Sequence, residues 1–189
     1  MALSFSEYTK QFFWDFKRMD NANYNFEIIA LLYEAKKRSN GDTRFNKPII
    51  TLIMAIIECI LYDFLIRIKT YHWDSFPNIK DDEVSYFRGT KETDELRALI
   101  PQIEEMNLLR AIPGENIYAD LEQLRIIRNR IHIQNRHNTL NADEYKVFTD
   151  SALRKAERCL EKVCEVLCNV YPRWKKQPLP MSEFPRPWS

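Results

Sequence analysis

Apolar residues along this chain recur three and four positions apart far more often than they alternate, the period of helices that bury one side. Phe5, Tyr8, Phe12, Phe16 and Met19 mark one face of a first predicted helix, with Ser4 or Ser6 and Glu7 placed to cap its start. A second helix is predicted from about Asn25 to Ser39. Its apolar stripe is Ile28, Leu31, Leu32 and Ala35, and Asn40-Gly41 ends it. A third, opened by Asn46 and Pro48, stays apolar from Ile49 to Ile68 except at Glu58, Cys59, Asp63 and Arg67. Its length would span a bilayer. Two acids and an arginine within it, and no adjacent second span, predict a buried central helix instead.

From His72 to about Thr90 the period is lost and turn-forming residues gather, which predicts a long connection. Helical spacing returns at Leu96, Leu99, Ile103 and Met106, with Pro101 expected to kink or divide that helix. Ile112 to Asn116 reads as a turn, followed by a helix from about Tyr118 to Asn135. After a break at Asn138 to Asn141, a last long helix carries Tyr145, Phe148, Ala152, Ala156, Cys159, Val163, Val166 and Val170 on one side. The remainder, PRWKKQPLPMSEFPRPWS, is proline-rich and aperiodic. It is expected to be extended or flexible, or laid across the domain. The pattern therefore predicts an all-α, single-domain helical bundle over residues 1–171 and a Pro-rich tail over 172–189.

Composition narrows this further. Only 3 glycines occur in 189 residues, which disfavours phosphate-cradling nucleotide loops, and no GxxxxGK[ST] sequence is present. Net charge is +1, so any affinity for nucleic acid must come from a local patch. The 4 cysteines, Cys59, Cys159, Cys164 and Cys168, form no CxxC pair and read as buried thiols of a reducing compartment, with no metal site expected. The first residues lack the basic and apolar regions of a signal peptide, so a cytoplasmic protein without a membrane anchor is expected.

The densest chemistry lies in LEQLRIIRNRIHIQNRH. At about 100° per residue, Arg125, Arg128, Asn129, His132 and Arg136 fall within one stripe of a continuous helix, while Leu124, Ile127 and Ile131 point elsewhere. An imidazole with a near-neutral pKa beside fixed guanidinium charges suits chemistry on a phosphodiester. The bland reading of the same stripe is a solvated face, or a set of ion-pair partners. Glu58 bears on both, because a carboxylate amid an apolar helix needs a partner and Arg125 or Arg128 is the expected one. His72, His137, the Lys36-Lys37-Arg38 run and the basic residues around Trp174 are weaker candidates, read as helix-end or solvated groups.

The segment RIIRNRIHIQ resembles the HEPN superfamily, whose members are small helical bundles with an arginine, a following polar residue and a downstream histidine on a late helix. Arg128, Asn129 and His132 carry the resemblance. Three residues separate Arg128 from His132 and six separate Arg125 from His132, against four to six in the family pattern. The resemblance implies a HEPN-like topology and metal-independent cleavage of RNA without a cofactor. His132 would transfer protons, Arg128 would hold the scissile phosphate and Asn129 would position substrate or His132, while Arg125 and Arg136 would extend the RNA-binding surface. It further implies a homodimer with facing His132 side chains and a role as a toxin or phage-defence effector. It also leaves room for an antitoxin or regulatory protein as partner, and its alternatives are a non-catalytic RNA- or protein-binding module and a partner of a nucleotidyltransferase in a toxin–antitoxin pair. Gln134 stands where the family often has a tyrosine two residues after the histidine, so a modification switch there has no basis.

Overall fold

A computed structural model describes residues 4–70, 79–90, 95–131, 143–173 and 184–188. Seven α-helices and no strand occur among the described residues. They are α1 (Phe5–Thr9), α2 (Phe16–Arg38), α3 (Asn46–Thr70), α4 (Asp81–Gly89), α5 (Leu96–Glu105), α6 (Ile117–Arg128) and α7 (Asp150–Asn169). The apolar α3 is central, lying against α2 and α7 and also meeting α4, α5 and α6. Although long and apolar enough to cross a membrane, 61% of its most apolar stretch is buried inside the bundle.

The first predicted face is divided between two helices. Ser4 and Glu7 form a reciprocal capping box on α1, and Asp15 then caps a new helix by accepting from the Arg18 N–H at 2.8 Å. Two charges of α3 satisfy the backbone exposed at the break. Asp63, 3% exposed, accepts from the Trp14 and Asp15 N–H groups at 2.9 and 3.1 Å. Arg67, 1% exposed, donates to the Phe12 carbonyl at 3.0 Å and to the Tyr171 carbonyl at 2.9 Å. The charges that interrupt the apolar run therefore fasten the N-terminal segment and the end of α7 to the central helix.

Helix α2 starts earlier than predicted, and its phase differs. Met19, Ala22, Phe26 and Ile29 are buried, whereas Leu31 and Phe16 are exposed. Its end follows expectation, with Asn40 and Gly41 both at positive φ (53° and 79°). Lys36 does more than complement the helix dipole: it donates to Asn46 at 2.6 Å and to Asp150 at 2.7 Å, tying the end of α2 to the starts of α3 and α7.

The long connection contains α4. This short helix has Asp81, Asp82 and Glu83 in its first turn, where negative charge suits the dipole, and buries Val84 and Phe87. Glu83 receives Arg110 at 2.9 Å, which fixes α4 to the loop after α5. Pro101 does not divide α5, which continues from Leu96 to Glu105 through it. The last helix begins at Asp150 with Thr149 as cap, so Tyr145, in a short 3₁₀ turn at Glu144–Lys146, is exposed rather than part of the stripe.

All four cysteines are free thiols. Burial raises the Cys59 thiol to about 11, Cys159 to about 12 and Cys168 to about 11, and pushes Cys164 well above its usual value. At pH 8 a thiol reagent should therefore label native protein far more slowly than denatured protein, with half-buried Cys59 the first to react. Rapid labelling of Cys159, Cys164 or Cys168 in the native chain would contradict this packing.

Candidate functional site

Helix α6 buries Ile117, Tyr118, Leu121, Leu124 and Ile127 and ends at Arg128. The Asn129 N–H donates back to the Arg125 and Ile127 carbonyls, and Asn129–Ile131 forms a tighter 3₁₀ turn. The single α-helical face predicted from Arg125 to Arg136 is thus interrupted after Arg128, where each residue advances about 120° instead of about 100°. His132 and Arg136 lie outside the described residues, as does the predicted helical stretch from 132 to 135.

Glu58 takes Arg128 as its partner, at 2.8 Å from Nη2 to Oε2. Its other oxygen accepts from the Leu96 N–H, the first of α5, at 3.0 Å. One carboxylate therefore meets an orphan donor at the start of α5 and a cation at the end of α6, both dipole-favoured positions. This explains a charge in the apolar central helix: three helices converge on it. Glu58 and Arg128 side chains are 21% and 25% exposed, so the pair borders solvent while its geometry is held by packing. The Arg128 Nε is buried and has no acceptor among the described residues.

Arg125 is not part of this contact. It forms a two-pronged pair with Glu122, with Nε and Nη2 at 2.8 and 2.6 Å from the carboxylate oxygens. The bond to Glu122 raises the Arg125 pKa above its usual value, against the effect of burial. Arg130 is the residue that the sequence pattern passed over: it is 7% exposed, the most buried cation of the 125–130 stretch. It lies in the 3₁₀ turn, where a periodicity of about 100° per residue no longer applies.

The described part of the site is therefore a fixed guanidinium at the mouth of the α3, α5 and α6 junction, with a second arginine one turn earlier and the chain to His132 leaving immediately beyond. Compared with protein-family models, curated proteins and solved structures, the chain matches none.

Proposed function

We propose that this chain is a metal-independent endoribonuclease of HEPN type, acting as a cytoplasmic toxin or phage-defence effector. The observation that carries the reading is the Glu58–Arg128 pair, which orients a guanidinium four positions before His132 on a side chain that still borders solvent, 25% exposed. A phosphate oxygen approaching that guanidinium gains a charge-assisted hydrogen bond from a donor already in place. In the proposed reaction the ribose 2′-hydroxyl attacks its own phosphate. One group removes the hydroxyl proton and another protonates the leaving 5′-oxygen, giving a 2′,3′-cyclic phosphate and a 5′-hydroxyl. His132 is assigned one of these transfers, and a second His132 across a homodimer the other. Arg128 stabilises the added negative charge, Asn129 positions substrate or His132, and Arg125 and Arg136 extend the basic surface.

A second reading has its own observation. Arg125 and Arg128 are both already paired with carboxylates, as in a non-catalytic module that contacts RNA or a protein partner through the remaining basic groups.

Cleavage assays on two variants separate the readings. Arg128→Ala should lower RNA cleavage by about 10² to 10³, the loss typical of a missing oxyanion donor. Glu58→Gln retains an acceptor for the Leu96 N–H but removes the charge that aims Arg128. It should change stability by only about 1 kcal/mol, because the pair is part-exposed, yet slow cleavage about tenfold or more through misplacement of the guanidinium. Unchanged cleavage by Arg128→Ala would rule out its phosphate role. In the binding-module reading, wild type shows no cleavage and Arg128→Ala only weakens a salt-dependent RNA affinity.

A further inference from the structure

The end of α2 and the start of α7 run antiparallel, and two ties hold them together. Lys36 donates to Asp150 at 2.7 Å, and about one turn further back along α2 the Tyr33 hydroxyl donates to Oε1 of Glu157. Beside these ties lies a cavity of 470 Å³, within the size range of small-ligand sites. Tyr33, Leu153, Pro187 and Trp188 form its apolar and aromatic wall, with the Tyr33 and Trp188 rings 5.8 Å apart.

The charged groups around the cavity are sorted by depth. Lys36 and Asp150 satisfy each other. Glu157 is half-buried, and its Oε2 receives no hydrogen bond from the described residues. Burial raises its carboxyl above the ordinary value against the hydrogen bond from Tyr33, and the negative charge of Glu161 adds to the rise in spite of Lys36 and Arg154. The inner wall therefore carries a carboxylate short of positive charge. Lys37 and Arg154 are exposed at the rim, and neither forms an ion pair among the described residues. Glu34, exposed at the same rim, offsets one of them and leaves the entrance net positive. Lys37 lies one turn beyond Tyr33 on α2, and Arg154 one turn before Glu157 on α7. Because the helices are antiparallel, both cations fall at the same end, about 5 Å along the axis from the level of Tyr33 and Glu157.

We infer that this cavity binds a free α-amino acid with an apolar or aromatic side chain. The ammonium group donates to the open oxygen of Glu157, the carboxylate lies between Lys37 and Arg154, and the side chain packs against Leu153, Pro187 and Trp188. A simple cation would be repelled at the rim and a simple anion by Glu157, whereas a zwitterion with its two charges a few ångströms apart satisfies both levels. The inference goes beyond the proposed ribonuclease activity and does not depend on it.

Isothermal titration calorimetry of the full chain with L-leucine, L-phenylalanine and L-tryptophan is the test. At least one should bind saturably. Its amine and acid counterparts, which for L-phenylalanine are 2-phenylethylamine and 3-phenylpropionate, should each bind at least about fivefold more weakly. Glu157→Gln keeps an acceptor for Tyr33 and should weaken the amino acid at least about tenfold, while leaving the acid counterpart within about twofold. Lys37→Ala combined with Arg154→Ala, both on exposed side chains, should weaken the amino acid about fivefold at low salt and leave the amine counterpart unchanged. The comparison of counterparts uses wild-type protein, so it stands whatever the variants do to folding. No saturable binding of any of the three amino acids up to about 10 mM would overturn the inference. So would wild-type binding that fails to distinguish the amino acid from either counterpart, or an affinity unchanged by Glu157→Gln.

Discussion

Arg67→Met is expected to lower folding stability by about 2–5 kcal/mol, the range for leaving two buried carbonyls without their donor at about 1–3 kcal/mol each. Methionine fills similar volume, so the loss is not chiefly that of a cavity. The guanidinium reaches two backbone carbonyls far apart in the chain, Phe12 at 3.0 Å and Tyr171 at 2.9 Å, and its removal strips both of these hydrogen bonds. Asp63, one helical turn away, keeps its own partners, the Arg18 guanidinium at 3.3 Å and the Trp14 and Asp15 N–H groups, and loses only the longer-range attraction of Arg67. Burial lowers the Arg67 pKa to about 10, with Asp63 acting in the opposite direction, so the group remains a cation at neutral pH. Urea unfolding monitored by circular dichroism gives the stability difference, with the exposed Lys10→Ala as a control expected within about 0.5 kcal/mol of wild type. Asp63→Asn combined with Arg67→Met should cost less than the sum of the two single changes, because the residues share one network. A loss below about 1 kcal/mol for Arg67→Met would contradict the role assigned to it.

The largest functional effect is expected at His132. General acid–base catalysis by one positioned side chain contributes about 10² to 10⁴ in rate, and the proposed dimeric site would lose both copies in the variant. His132→Ala should therefore reduce RNA cleavage by at least that factor while the helical circular dichroism signal persists. Its RNA affinity should fall little, in contrast to Arg128→Ala, because an imidazole that moves protons carries less of the phosphate attraction than a fixed guanidinium. Equal losses of affinity in both variants would argue for a binding surface rather than a division between phosphate holding and proton transfer.

The elements most legible in the sequence are those whose signals are local. The run Ile49 to Ile68 identifies α3, the Asn40-Gly41 pair marks the end of α2, and the repeat through Ala152, Ala156, Cys159 and Val163 identifies α7. The division between α1 and α2 escapes such reading because the donors at Trp14 and Asp15 are met by Asp63, nearly fifty residues away. Helix α4 escapes it because a helix of nine residues shows too few buried apolar positions to establish a period. Pro101, the sixth residue of α5, lies inside the helix, which continues through it to Glu105; its effect is set by packing and not by the local pattern.

Of the candidate site, the pairing of Glu58 with an arginine was legible, while His132 and Arg136 lie outside the described residues. The need of Glu58 for an arginine partner follows from the cost of burying a charge, and the choice of Arg128 over Arg125 follows from packing that a sequence does not encode locally. The same holds for the turn at Asn129–Ile131, where the chain tightens as α6 runs out and Arg130 turns inward. A helical wheel assumes one constant angle, and that assumption fails where the candidate chemistry begins.

Incubation of purified wild type and His132→Ala with total RNA in excess chelator, followed by analysis of fragment ends, tests the central claim most directly. Wild type should release fragments with 2′,3′-cyclic phosphate and 5′-hydroxyl ends without added metal, and His132→Ala should release none above background. Fragmentation at equal rates by both proteins, or RNA binding by wild type with no cleavage at all, would contradict it.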